Sequence, residues 1–168
     1  SRGLGDVYKR QMFIRVLGEE EQALAWSGTT PFKDIEKGSQ AEHYVGYAYE
    51  KGYTNGYTAT SFKPAGAVNA YQYTEFVLRA MGYSSAANKD LSDTLLRAVN
   101  AGVLTDGDAA MLQSAAFLRA QLVYISYYAL EADLPDGSQS LADYLMDLGV
   151  FTRDEWRSSW KLVKSERL

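Results

Sequence analysis

The sequence predicts an all-α protein, an array of helix–loop–helix repeats finished by a C-terminal capping helix. Three observations predict it. Ser39-Gln-Ala-Glu42, Asn69-Ala-Tyr-Gln72, Ser140-Leu-Ala-Asp143 and Thr152-Arg-Asp-Glu155 each place a capping side chain ahead of a carboxylate or amide at the spacing of a helix N-terminal box. Apolar residues follow these boxes at the i, i+3, i+4 spacing of one buried helical face. Glycines at Gly18, Gly52 and Gly82 stand where a helix stops in a left-handed turn.

Met12, Phe13, Val16 and Leu17 lie on one helical face and run into Gly18 and the charged Glu19-Glu20-Glu21 run, reading as the end of a helix (segment 12–27). Ahead of it, Ser1–Gln11 has no apolar period. Its Asp6–Gln11 stretch, DVYKRQ, resembles the translation of a transposon-end sequencing adaptor, so segment 1–11 is set aside as adaptor-derived or as a polar arm. On this reading the natural protein begins upstream. Trp26–Pro31 is a linker by its Gly, Ser, Thr and Pro content.

The segment 32–83 is the most complete unit. After the Ser39 box, Ala41, Tyr44, Val45, Ala48 and Tyr49 form an apolar stripe that Gly52 ends. A turn-rich stretch from Gly52 to Gly66 leads to the Asn69 box, behind which Tyr73, Phe76, Val77, Ala80 and Met81 face inward and Gly82 stops the helix. The pattern recurs with a period of about fifty residues: Ala48–Gly52 matches Ala98–Gly102, and Gln72-Tyr73 matches Gln121-Leu122. Phe13–Gly18 likewise matches Val77–Gly82. Segment 89–134 is therefore a divergent copy, and the chain holds the tail of one repeat and two further ones. Segment 138–168 is a half-copy with Leu141, Tyr144, Leu145 and Leu148 inward. Its final helix carries Trp156, Trp160 and Val163 on one stripe, as an end repeat must cover its neighbour's open face.

Composition excludes several function classes. With 168 residues and 46% hydrophobic content the chain can build a core. The 17 basic residues against 21 acidic ones leave a net charge of −4 with no basic run, which argues against nucleic acid as partner. A helix-turn-helix regulator fails on the same ground. The absence of cysteine removes disulfides, thiolate nucleophiles and Cys-ligated zinc. No apolar stretch approaches the roughly 18 to 20 residues that span a bilayer, so no membrane insertion is expected.

The motifs Phe32-x-Asp34-Ile, Tyr44-Val-x-Tyr47-Ala-Tyr-Glu-Lys-Gly52-x-x-Asn55-Gly56 and Phe62-Lys-Pro64, followed by the Asn69 helix, resemble the S-layer homology motif of bacterial cell-surface proteins. The resemblance covers Met12 to Leu134. It weakens in the third copy, where Asp106-Gly-Asp-Ala-Ala-Met-Leu-Gln replaces the loop, and the tryptophan usual before the first helix is Gln40. It implies a pseudo-threefold helical domain that holds a secreted protein noncovalently on a Gram-positive-type envelope. The implied partner is secondary cell-wall polysaccharide, often pyruvylated, bound in grooves between repeats; S-layer or other surface proteins are the implied neighbours. No cofactor is implied.

The family's Thr-Arg-Ala-Glu stretch corresponds to Asn69-Ala70-Tyr71-Gln72 and to Leu118-Arg119-Ala120-Gln121. Arg119 alone retains the planar cation that pairs with an acidic sugar substituent. It serves either that ligand or a salt bridge tying repeats together. Asn69 and Gln72 cap the helix and are candidates to touch sugar as well, as is Gln121. Tyr53, Tyr57 and Lys63 lie on the loop, where an exposed ring suits the apolar face of a sugar, whereas Tyr44, Tyr49 and Tyr73 are packing residues. Catalysis has no support: His43 has no partner pattern, and no His-Glu-x-x-His, Gly-x-Ser-x-Gly or phosphate loop is present. Asp106-Gly107-Asp108 lacks the downstream oxygen ligands of a calcium loop and reads as a turn, so no metal site is expected. The alternative function is a degenerate repeat array without glycan binding, acting as a spacer or protein-interaction module.

Overall fold

Glycine ends five of the helices by the same device. At Gly18, Gly52, Gly82, Gly102 and Gly149 the backbone turns to φ of 73°, 80°, 100°, 80° and 79°, the left-handed region that glycine enters without a Cβ penalty. The next residue's amide then closes back on the helix: Glu19 to the Ile14 carbonyl at 3.1 Å, Tyr53 to Ala48 at 2.8 Å, Tyr83 to Leu78 at 3.0 Å, Val103 to Ala98 at 2.9 Å and Val150 to Leu145 at 2.9 Å. These five helix ends thus share one stop geometry.

The computed structural model describes the backbone of residues 6–63, 69–86, 90–114, 117 and 119–164, and the side chains of 9–63, 69–86, 90–114, 117 and 120–159. The described structure is all-α: α1 (Asp6–Val16), α2 (Glu20–Ala25), α3 (Gln40–Glu50), α4 (Ala70–Ala80), α5 (Thr94–Asn100), α6 (Asp106–Ser114), α7 (Arg119–Glu131), α8 (Leu141–Asp147) and α9 (Arg153–Lys164). Two compact units divide the chain, Ser1–Val68 and Asn69–Leu168, so the two helices of segment 32–83 belong to different units.

In the first unit α3 packs against α1 and α2. The buried face of α3 is wider than its stripe, taking in Tyr44, Val45, Gly46, Tyr47 and Ala48, while Tyr49 is turned out to 41% exposure. Gly46 is buried because the linker's Trp26 lies on it; a Cβ there would overlap the indole ring. His43 and Glu50, on the same face, complete the seat. The His43 Nδ1 lies 2.6 Å from the Trp26 carbonyl, and the Trp26 Nε1 donates to the Glu50 carboxylate. The glutamate run gains a purpose that its charge does not reveal. Glu19 accepts from the hydroxyls of Tyr47 at 3.0 Å and Tyr53 at 2.8 Å, and Glu20 accepts from Tyr44 at 2.8 Å and from Arg15. Burial, with Glu19 beside it, pushes the Tyr47 phenol above its ordinary range.

In the second unit α4 packs against α5 and α7, α5 against α6, and α7 against α8 and α9. Tyr73 is fully buried, its hydroxyl 2.8 Å from the Ser126 hydroxyl, which in turn donates to the Leu122 carbonyl. Trp156 stacks on Tyr127 at 5.4 Å and on Phe151 at 6.0 Å, which seats α9. A buried carboxylate, Glu75, joins α4 to α5 and the segment between them. It accepts from the Ala86 amide at 2.7 Å, the Thr94 hydroxyl at 3.2 Å and the guanidiniums of Arg79 and Arg97. Burial alone would raise its pKa, but the Ala86 amide and Arg97, with Arg79 behind them, outweigh burial and hold it below the usual carboxylate range.

Several expectations shift. α1 already begins at Asp6, within the segment set aside, and α2 was not foreseen. Asp106–Asp108 is the first turn of α6 rather than a free turn, because Thr105 and Asp108 cap each other: the Thr105 amide donates to Asp108 at 2.9 Å and the Asp108 amide to the Thr105 hydroxyl at 3.1 Å. At α3 the box is looser, since Glu42 reaches the Gly38 amide rather than that of Ser39. On α8 Leu141 and Leu145 are buried, while Tyr144 and Leu148 stand 40% and 61% exposed; a single-sided contact with α7 covers only one edge of the stripe. The side chains of Trp160 and Val163 lie outside the described residues.

Replacing Glu75 by Gln removes the charge that balances two arginines in a largely dry setting, and we expect a loss of about 2–4 kcal/mol. Guanidinium unfolding followed by helical circular dichroism checks this; a variant as stable as the parent would show the cluster to be incidental.

Candidate functional site

The loop from Lys51 to Lys63 contains no helix and no strand, so something other than a backbone ladder must hold it. Asp34 supplies that hold. Its carboxylate accepts from the Phe62 amide at 2.9 Å, the Lys63 amide at 2.8 Å and the Ser61 hydroxyl at 3.1 Å, and beside it the Lys33 amide donates to the Thr60 carbonyl at 2.8 Å. The Phe62 amide, followed by the Lys63 amide and the Ser61 hydroxyl, draws the Asp34 carboxyl below its ordinary pKa against the opposing effect of burial.

The apolar residues around Asp34 close the same latch from the inside. Phe32, Ile35, Val45 and Phe62 form a buried cluster, with the Phe32 ring 5.4 Å from Phe62 and edge-on to Tyr49 at 5.3 Å. Gly56, at φ 82°, backs onto Phe32, where any Cβ would enter the ring. The motif residues Phe32, Asp34, Ile35, Gly56 and Phe62 are thus parts of one latch.

On the outer side of the loop stands Tyr57, 59% exposed. The Tyr57 and Thr58 amides both donate to the Ser61 carbonyl at 2.9 Å, which tightens the tip. Lys63 adopts a left-handed φ of 57°, uncommon for a side chain of its kind, and its ammonium lies 3.7 Å from the centroid of the Tyr57 ring. Tyr57 and Lys63 therefore come together as one exposed aromatic and cationic pair. Tyr53 does not join them: it is buried, edge-on to Tyr47, with its hydroxyl on Glu19. Its position just after the Gly52 turn sends it under the loop rather than over it.

The other candidates stand at helix starts in the second unit. Asn69 and Gln72 form a full reciprocal box, the Gln72 amide donating to the Asn69 side chain at 2.9 Å and the Asn69 amide to the Gln72 side chain at 3.0 Å. The cap engages the carbonyl oxygen of each, leaving their NH2 groups as the donors they can offer outward. Ala70, where the motif's arginine would stand, is buried. Gln121 is half-buried in the first turn of α7. Arg119 opens α7, and its side chain lies outside the described residues.

Asp34 and Trp26 are the positions whose roles sequence reasoning missed. The carboxylate set between Phe32 and Ile35 in the Phe32-x-Asp34-Ile motif was the available signal for Asp34; Trp26 had none beyond its size. Among the described residues no group of three or more His, Asp or Glu side chains is placed to hold a metal ion, and no helix is long and apolar enough to cross a membrane.

The profile of the S-layer homology domain family matches residues 31–69, a span that begins just ahead of Phe32, contains the whole latch and ends at the N-cap of α4. Over residues 31–69 the chain is similar to the S-layer homology domain family. S-layer homology domains are noncatalytic modules that anchor proteins to the cell wall through its polysaccharide, and the match implies association with the cell surface. No curated protein and no solved structure matches the chain.

Because the Asp34 pKa is depressed on folding, its contribution to stability is present above the unfolded value of about 3.9 and is lost as pH falls through the lower folded value. Asp34 is exposed, so solvent screening keeps the effect near 1 kcal/mol. With Trp156 and Trp160 replaced by Phe, Trp26 fluorescence reports the first unit. Asp34→Asn should melt below its parent at neutral pH, and the gap should close in acid; a gap independent of pH would refute the latch.

Proposed function

We propose that this chain anchors a secreted protein noncovalently to the envelope of a Gram-positive-type bacterium by binding secondary cell-wall polysaccharide. The observation that carries the reading is the latched loop inside the matched domain, which presents Tyr57 and Lys63 outward from a fixed base. A ring with one exposed face offers apolar contact to the C–H face of a sugar, and the adjacent ammonium attracts an acidic substituent such as a pyruvyl group. In the second unit the amide groups of Asn69, Gln72 and Gln121 are hydrogen-bond donors for sugar hydroxyls, and Arg119 is the bidentate partner for a carboxylate. Tyr53 contributes by supporting the loop from beneath. No catalytic step, cofactor or metal belongs to this reading, and neighbouring S-layer or surface proteins are its remaining partners.

A second reading, a repeat array that has lost glycan binding and serves as a spacer or interaction module, is favoured by one observation. Ala70 is buried where the motif carries its arginine, so that helix start offers no cation. The two readings part at the wall.

Co-sedimentation of the chain with sacculi, intact or stripped of their polysaccharide, decides between them. Binding to intact sacculi alone is expected. Equal capture by both preparations, or by neither, would favour the spacer. Tyr57→Ala should weaken binding about 3- to 10-fold with unchanged helicity, the loss of one stacking contact. Arg119→Ala should weaken binding without lowering the melting temperature; a lowered melting temperature with unchanged binding would make Arg119 a structural salt bridge.

A further inference from the structure

We propose that Asn55-Gly56 is a site of spontaneous covalent modification, where the Asn55 amide becomes a carboxylate through a cyclic imide, and that Thr54 restrains the reaction. The chemistry needs water alone. The Gly56 main-chain nitrogen gives up its proton and attacks Cγ of Asn55. A new N–Cγ bond forms, the bond from Cγ to the side-chain nitrogen breaks, and ammonia leaves with the proton. Water then opens the imide at either carbonyl. One opening yields aspartate and the other isoaspartate, whose main chain runs through the former side chain. Amide and water become acid and ammonia, with no oxidation or reduction.

Structure singles out Asn55 among the described asparagines. Asn69 is held by its box with Gln72, and the Ala70 after it is buried at the start of α4. Asn100 ends α5 and precedes Ala101, whose amide donates to the Arg97 carbonyl at 2.9 Å. Asn55 is exposed in the ladder-free loop, and the residue after it has no side chain to hinder ring closure. The attacking amide has one restraint in view: the Gly56 N–H donates to the Thr54 hydroxyl at 3.2 Å. Thr54 is only 4% exposed, so its hydroxyl is fixed in place. This bond is long and local, a brake rather than a block.

The two products differ in consequence. Aspartate leaves the main chain intact and adds a negative charge to the loop that carries Lys63. Isoaspartate inserts a methylene into the main chain next to Gly56, which already backs onto the Phe32 ring without room for a Cβ. The lengthened chain cannot keep both the Phe32 contact and the Thr54 bond, so the tip bearing Tyr57 shifts from its latched position. The modification is read by mass and does not rest on the glycan reading.

The test incubates the full chain in mildly alkaline buffer, folded and in guanidinium, and maps its peptides by mass spectrometry that separates Asn, Asp and isoAsp. In the folded chain Asn55 is expected to convert while Asn69 and Asn100 stay amides, and Asn55→Gln should abolish the product. Thr54→Val should speed conversion severalfold with circular dichroism unchanged, and Thr54→Ser should restore the parent rate. Asn55 remaining intact in the folded chain over the time that consumes it in guanidinium would overturn the proposal. A Thr54→Val rate equal to the parent's would overturn the assigned restraint.

Discussion

The first unit depends on a single carboxylate. Asp34 gathers two main-chain amides and a hydroxyl from the far end of a loop that has no ladder of its own, and the loop's inner residues then pack where that gathering leaves them. Charge-assisted acceptance of backbone amides is among the stronger hydrogen bonds available to a partly exposed group. Without it, Phe62 loses the fixed backbone that brings it to Phe32 and Ile35, and Gly56 has no reason to lie against the Phe32 ring. The same physics operates in the second unit at Glu75, where a loop amide from Ala86 meets a buried carboxylate and two arginines complete the charge balance.

Around these two acceptors the helices follow a shared grammar. Five of the described helices stop at glycines in left-handed turns, and α3, α4, α6, α8 and α9 start with side chains that take orphan amides of the first turn. In the second unit α4 packs on α5 and α7 on α8. The tyrosine content is spent largely on joining elements rather than on display: Tyr44, Tyr47 and Tyr53 direct their hydroxyls to Glu19 and Glu20, and Tyr73 to Ser126. Tyr57 is the contrast, 59% exposed and with its ring beneath an ammonium.

That division between inward and outward residues connects the fold to the proposed anchoring. A loop fixed from below can offer its outer residues to a polymer without ordering them at the moment of binding, which lowers the entropic cost of capture. The tightness that fixes Tyr57 is also what makes the loop sensitive to a change of chain length at Asn55. The proposed binding residues Tyr57 and Lys63 and the proposed modification site Asn55 thus lie on one short loop.

Helix starts marked by the Ser39, Asn69, Ser140 and Thr152 boxes, the glycine stops and most inward faces were legible in the order of residues, because capping boxes, glycine turns and the helical period are local and act within a few positions. The helix α2 and the start of α6 were not. The all-α class and the homology of residues 31–69 were legible for the same reason, as ordered anchors along one stretch. The candidate site was legible only in part. Tyr57 and Lys63 were named as loop residues, but their pairing was not, and Tyr53 beside them turned out to be buried on Glu19. Pairings of this kind join groups far apart in the chain, as Asp34 with Phe62, Glu19 with Tyr47 and Trp26 with Gly46 do. No period or cap marks such partners, since a carboxylate looks the same in sequence whether it faces solvent or holds a loop. Packing alone decided which acidic residues became the fasteners of each unit and which tyrosines were left to face outward.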